Sequence, residues 1–383
     1  MAKSVLIVDT YYIDALRELN ADRRISKRMT YSEELRRVSD YGFGTGGAYV
    51  RALSGLNWDA SIIVPNSLGL QDLWASQYDK QRPIGFGWEY MQVLARLPIA
   101  RDVLKWVPHA HRILLQQVKE VRPDVLLVQD INSIPPSLVR QLKKYAGKIV
   151  GEIASPLPPN AFVTCYDRII SALPSIVEKA KTLGVPATFL PLGFDARWAT
   201  KSDTKTREID AVFVGSFTRL QPTTAPLLRA IAEAIPSFRV YGTAKPDVLE
   251  AAGLTNRYHG PVWGSEMFAV LGNSKIVVNR HGTVAGPYAA NMRMFETTGS
   301  GAALITESKS NLQDLFDVGT EVMAYNDIDE AVEIAVSMLA DPDRLSALAH
   351  AGQQRTLREH TYDRRAESLI EVFESDLAGS RQF

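Results

Sequence analysis

Asn291-Met292-Arg293-Met294-Phe295-Glu296-Thr297-Thr298-Gly299-Ser300-Gly301-Ala302-Ala303-Leu304-Ile305 reads as a helix, a glycine turn and a buried strand in succession. Arg293 and Glu296 stand three positions apart, so on a helix they share a face. Gly299 to Gly301 supply the left-handed or unhindered backbone that a tight helix exit needs, and the apolar run after them has the composition of a strand covered on both sides. One face of this segment offers a cation suited to a phosphate and a carboxylate suited to a ribose hydroxyl. The bland alternative is a surface helix with an ion pair and a glycine cap.

The same alternation extends in both directions. Val5–Val8, Ala60–Val64, Val125–Val128, Ile149–Ile153 and Arg168–Ser171 are short apolar runs separated by segments of helical period, the pattern of parallel βαβ units. After Leu192-Gly193-Phe194-Asp195 the chain turns polar through Thr200–Arg207, a composition suited to a linker. A second series then starts, with Ala211–Val214, Arg239–Tyr241, Ile276–Asn279, Ala303–Thr306 and Val322–Tyr325. The expected architecture is α/β, with two Rossmann-like doubly wound domains. The first is expected over 1–195, with a helical aromatic insertion near 73–111, and the second over 207–360. A closing helix in 361–383 completes the reading.

The chain has 383 residues, 46% hydrophobic and 22% charged, with 43 basic and 43 acidic side chains. That balance gives no footing to a nucleic-acid binder that works by neutralising phosphates. The single cysteine, Cys165, excludes an internal disulfide and any cysteine-rich metal site. The first apolar run is too short for a secretion signal or a membrane span, so a cytoplasmic location is expected. Oligomeric state is left open. His109 and His111 stand two apart, a spacing that separates imidazoles on a helix, and no metal is expected. The dense aromatic set Trp74, Tyr78, Phe86, Trp88, Tyr90 and Trp106 is either a small helical core or a lip for an acceptor or a membrane surface, the latter allowing weak peripheral membrane contact at its inner face.

In open parallel sheets ligands gather beyond the C-terminal strand ends. That rule selects Gly215, Ser216 and Arg219 after one strand, and Asn279, Arg280, His281 and Gly282 after another. With Asn291, Arg293, Phe295 and Glu296 these form a candidate nucleotide wall. In the first half, Gly42-Phe43-Gly44-Thr45-Gly46-Gly47 precedes a helical stretch, so Gly46 and Gly47 would offer amides to an anion. This is neither a dinucleotide-binding Gly-x-Gly-x-x-Gly unit nor a P-loop. Asp130 and Glu152 follow or end strands and could serve as a base; Asp130 is the first choice, with His281 as a second catalytic candidate.

These residues resemble the glycosyltransferases of GT-B architecture, similar to the retaining family-four clan and closest to the bacterial spore-maturation (CgeB-like) group. The resemblance rests on Tyr258-His259-Gly260-Pro261-Val262-Trp263-Gly264, Leu271–Asn279 and Asn291–Glu296 in that order, then His360-Thr361-Tyr362, and covers roughly residues 120–375. It implies two domains facing a cleft, Glu296 on the ribose, Arg293 and Gly215–Arg219 on the diphosphate, Tyr241-Gly242 at the base, and Gly46-Gly47 near the sugar-phosphate. It also implies a final helix that crosses back to the first domain. The activity implied is transfer of a sugar from a nucleotide-diphospho-sugar to a glycan or lipid-linked glycan, without cofactor, metal or nucleic acid. An epimerase of the same fold and an inactive nucleotide-sugar-binding protein are the alternatives. The sequence departs from the clan at Tyr288, where a first glutamate is frequent, and at Thr224, where a lysine often follows Arg219.

Overall fold

The computed structural model describes residues 2–21, 29–78, 108–200, 204–216 and 224–379. Arg219 and most of the aromatic stretch between 73 and 111 lie outside the described residues. The chain divides into one compact unit of Met1–Leu190 with Ala366–Phe383, and a second of Pro191–Arg365.

The first unit is built on a parallel sheet of six strands in the order β2-β1-β3-β4-β5-β6. These are β1 (Ser4–Val8), β2 (Asp59–Ile63), β3 (Val125–Val128), β4 (Lys148–Glu152), β5 (Arg168–Ser171) and β6 (Ala187–Phe189). Val5 to Val8 and Val125 to Val128 are each at most 1% exposed, as strands covered on both faces must be. The late part of the helix Tyr362–Gly379 belongs to this unit. Phe373 packs against Trp58, and Arg168 grips Asp376 through hydrogen bonds of 2.6, 2.8 and 3.0 Å.

The second unit has five parallel strands, ordered β11-β10-β9-β7-β8. They are β7 (Ile209–Val214), β8 (Arg239–Tyr241), β9 (Ser274–Asn279), β10 (Ala303–Glu307) and β11 (Met323–Tyr325). Alternation sorts their side chains by face. Phe213, Ile276, Val278, Ala303 and Ile305 join one core with Leu227, Leu228, Ala331 and Leu348, while Val212, Val214, Val277 and Leu304 join another with Phe268, Met294 and Phe295.

Residues expected to be a linker are structural in this unit. Arg207 is 4% exposed and donates from Nη1 to the Ser274 carbonyl at 2.9 Å and from Nη2 to the Ser300 carbonyl at 3.2 Å. Phe194, 1% exposed, bridges to Thr361, with Phe194 N donating to the His360 carbonyl at 2.8 Å and Tyr362 N donating to the Phe194 carbonyl at 3.0 Å. The first crossing between units therefore falls before Pro191, ahead of the polar segment, because Phe194 is part of the second core.

Candidate functional site

Each sheet carries the same switch. Counting strands within a unit, the first sheet runs 2-1-3-4-5-6 and the second 2-1-3-4-5, so in both the direction of winding reverses between the first and third strands. The crevice outside the carboxyl ends of that strand pair is where such sheets take ligands.

In the second unit the pair is β7 and β9. Gly215 and Ser216 continue from β7, and Arg280 follows Asn279 at the end of β9. Arg293 is drawn to this point from its helix, Met292–Gly299: its Nε donates to the Val214 carbonyl at 3.0 Å, and its Nη1 lies 2.8 Å from Glu296 Oε2 and 3.1 Å from Met267 Sδ. The Arg293 side chain keeps 18% of its surface exposed and Glu296 keeps 9%. The predicted pair thus exists, is largely buried, and stands beside Gly215.

The start of this helix is set by Asn291. Its Oδ1 accepts from Met294 N at 3.3 Å, capping the first turn, and its Nδ2 donates to Asn279 Oδ1 at 3.1 Å and to the Arg280 carbonyl at 3.0 Å. Asn279, 3% exposed, donates in turn to Thr306 Oγ1 at 2.8 Å, and Tyr325 OH donates to the Asn279 carbonyl at 2.9 Å. Asn279 and Asn291 hold the strand end to the helix start. Arg280 Nη1 donates to Thr224 Oγ1 at 2.9 Å.

The turn after β8 closes on the same edge. Gly242 has φ +133°, and a Cβ there would lie 1.8 Å from the Gly215 carbonyl oxygen, so only glycine fits. Its amide donates to the Gly260 carbonyl at 3.0 Å and its carbonyl accepts from Tyr258 OH at 2.7 Å. The Tyr241 ring stacks on His259 with centroids 5.2 Å apart.

Two expected site residues in this unit are structural. Phe295 is 1% exposed and packs between Phe316 and His360, at centroid distances of 5.8 and 5.1 Å; on a helix it points away from the face that Arg293 and Glu296 share. His281 is 2% exposed, with Nδ1 accepting from Ala290 N at 3.4 Å and Nε2 3.2 Å from Thr306 Oγ1. Burial depresses its pKa to about 4. An imidazole with both nitrogens engaged has no lone pair for a substrate, and His281 acts as a loop anchor instead of a catalytic base.

In the first unit the switch lies between β1 and β3, and its chemistry is acidic. Asp9 follows β1 and is 5% exposed; its Oδ2 accepts from Gly46 N at 3.0 Å at the start of the helix Gly46–Gly55. That carboxylate occupies the anion position the glycine loop was expected to offer a phosphate. Gly47 is glycine for packing, since a Cβ there would lie 2.6 Å from the Ser39 carbonyl. Asp130 Oδ1 accepts from Asn132 N at 3.0 Å and caps a short 3-10 turn. Gln129 sits between Asp9 and the half-buried Glu152, which ends β4: its Nε2 donates to Thr45 Oγ1 and lies 3.4 Å from Glu152 Oε2. Burial raises Asp9 from 3.8 to about 6 against hydrogen bonds that lower it, with Asp130 adding to the rise. Burial likewise raises Glu152 from 4.5 to about 7, and the neighbouring Asp9 adds to the rise.

The two sheets and their switch points define the GT-B fold. Residues 221–371 match the family described as glycosyl transferase-like. Along nearly its whole length the chain is similar to HepE from Anabaena, solved with UDP and glucose (11% identity, 97% of this chain and 100% of that one, TM-score 0.61). It is also similar to the sucrose-phosphate synthase of Thermosynechococcus elongatus (13% identity, 98% and 100%, TM-score 0.59). A third likeness is to AviGT4, a glycosyltransferase involved in avilamycin A biosynthesis (15% identity, 98% of each chain, TM-score 0.56). Among curated proteins no sequence match is found. Among the described residues no helix is long and apolar enough to cross a membrane.

Proposed function

We propose that this protein is a glycosyltransferase that binds a nucleotide-diphospho-sugar on its second unit and passes the sugar to a hydroxyl of a glycan or lipid-linked glycan. The observation that carries the reading is the Arg293–Glu296 pair at the β7–β9 switch, beside Gly215 and within the stretch that matches glycosyl transferase-like sequences. Glu296 is the acceptor for ribose hydroxyls. Arg293 and Arg280, with the amides after β7, meet the diphosphate and stabilise the charge that develops on it as the sugar leaves, a role that needs no metal when guanidinium groups are in place. HepE, solved with UDP and glucose, makes a UDP-sugar the first donor to try. The retaining clan and the spore-maturation subgroup belong to the proposal through the order of the motifs around Tyr258, Asn279 and Asn291, as does a cytoplasmic station at or near the inner membrane face.

The test is binding. A thermal-shift panel of UDP-, GDP-, dTDP- and CMP-sugars should show stabilisation by one base class, and Glu296→Gln should weaken that nucleotide by about 10-fold or more, the order expected for a lost charge-assisted hydrogen bond. Stabilisation by none of them, or unchanged affinity in Glu296→Gln, refutes the assignment. Product analysis then decides the activity: a new glycosidic bond supports transfer, an altered free nucleotide-sugar indicates an epimerase, and binding without turnover indicates a sensor.

A further inference from the structure

The Val214 carbonyl that receives Arg293 Nε stands in register with Tyr241 on the neighbouring strand, and Gly215 N donates to the Tyr241 carbonyl at 2.9 Å. Neighbouring strands lie about 5 Å apart, so the end of β8 is one strand spacing from the point where Arg293 is anchored. The chain then returns along β8, which is the edge of this sheet. Tyr258 bridges to Val240, and His259 N donates to the Val240 carbonyl at 2.9 Å. A few residues later the helix Gly264–Gly272 begins, and its Met267 brings Sδ to 3.1 Å from Arg293 Nη1. The Arg293–Glu296 pair is thus bordered by a continuous path within the second unit, from the end of β7 through β8 and His259 to Met267.

On this path His259 sets an aromatic ring toward solvent. The residue is exposed, and its imidazole lies 5.2 Å from the nearly buried ring of Tyr241 at an interplanar angle of 25°. Stacking on Tyr241 uses one face of the imidazole, so the other is turned outward. The ring is held in place from its backbone: His259 N is tied to Val240, and the hydroxyl of the preceding Tyr258 donates to the Gly242 carbonyl at 2.7 Å. The space beside it is open, since a Cβ added to Gly260 would meet nothing within 4 Å. Partial desolvation and the Arg239 guanidinium hold the His259 pKa below its usual value, so the ring is neutral at pH 7. A neutral ring, backed by a second ring and fixed in orientation, suits the flat face that every nucleobase presents.

We propose that the outward face of His259, backed by Tyr241, is the platform on which the nucleobase of the donor stacks. The inference rests on the nucleotide-diphospho-sugar reading and deepens it by naming the ring that holds the base. Stacking supplies affinity for a planar ring and leaves the choice among bases to groups at its edge. His259 then contributes to binding the nucleoside and not to holding the diphosphate, which is the task of Arg293 and the backbone at Gly215.

The experiment uses the full chain and titration calorimetry with UDP, GDP and dTDP, carrying forward the one that wild type binds most tightly, with inorganic pyrophosphate in parallel. His259→Ala and His259→Leu should weaken the nucleotide by about 5- to 150-fold, the span of base–aromatic stacking, while His259→Phe should stay within about threefold of wild type. Pyrophosphate, which has no base, should bind wild type and all the variants alike. Leu covers Tyr241 as Phe does but offers no π-face, so a merely structural role would leave the Leu and Phe variants equal. Equal nucleotide affinity in these two overturns the platform. If both match wild type, covering Tyr241 is enough; if both are weakened, a ring nitrogen of His259 binds by hydrogen bond. A parallel loss of pyrophosphate binding also overturns it, because the substitution would then be acting on the diphosphate site. Each of these results leaves the donor reading in place, whereas failure of all three nucleotides to bind wild type removes that reading and the platform with it.

Discussion

Asp9→Asn tests the electrostatics of the first unit without any ligand. In the folded protein burial lifts the Asp9 carboxyl from 3.8 to about 6. The sign follows from which state holds more protons. Between about pH 4 and pH 6 the folded protein keeps a proton that the unfolded chain has released, so stability falls as pH rises through this window and the cost is complete above the folded value. At about 1.4 kcal/mol per pKa unit, the roughly two-unit rise corresponds to about 3 kcal/mol carried by the ionised native state at pH 8. Asn mimics the neutral form and still accepts from Gly46 N. The variant should therefore match wild type near pH 4 and exceed it by about 2–3 kcal/mol at pH 8. Removing the Asp9 charge also lowers Glu152, which adds to the gain. Because two units need not unfold together, the readout is native-state hydrogen exchange at the amides of β1 and at Gln129 N, which donates to the Val8 carbonyl at 3.0 Å. A difference that does not change with pH, or an Asp9→Asn protein less protected than wild type at pH 8, would refute the reasoning.

Gly242→Ala should cost the second unit about 4 kcal/mol or more, because the new Cβ meets backbone at 1.8 Å and φ is +133°. Gly55→Ala, at a helix position with nothing within 4 Å, should be neutral or stabilise by about 0.5 kcal/mol, and equal effects in chemical denaturation would contradict the packing account. His281 and His360 have pKa values depressed by burial from 6.5 to about 4, so the stability they contribute is present above 6.5 and is lost as the pH falls toward 4, at about 3 kcal/mol each. His360→Gln should flatten part of that acid loss in the second unit, read by the protection of β10 amides; an unchanged slope would remove histidine as its cause.

The architecture was legible because parallel strands buried on both faces leave continuous apolar runs, and Val125–Val128, Arg168–Ser171 and Arg239–Tyr241 stand where their runs indicate. β6 was not, since Ala187-Thr188-Phe189 is an edge strand with partly exposed side chains and no such run. Arg293, Glu296, Gly215 and Asn279 are singled out in the sequence by strand-end position and helical spacing, both local properties, and the fold gathers them about β7 and β9. Phe295 was misplaced by the same locality: it lies between two site residues in sequence, yet helical geometry turns it into the core. Asp9 was missed although the strand-end rule applies after Val8 as it does after Val214. Its meaning depends on Gly46 and Gln129, which lie 37 and 120 positions away and meet it only through the sheet.

The two sheets make the same turn with opposite chemistry. At the β7–β9 switch the chain places Gly215, Arg280 and Arg293, cations and unhindered backbone suited to a dianionic leaving group. At the β1–β3 switch it places Asp9, Gln129, Asp130 and Glu152, which would repel a phosphate and accept hydrogen bonds from hydroxyls. If both units bound nucleotide, as a duplicated dinucleotide site would, the carboxylates at the first switch would cost affinity. The glycosyl transfer proposed above accounts for the asymmetry, since one substrate would bear phosphates and the other only hydroxyls. Exchanging the sign at Glu152 by Glu152→Arg should therefore raise the affinity of the first unit for inorganic phosphate, read by titration calorimetry, and an unchanged affinity would remove charge as the distinction between the two switches.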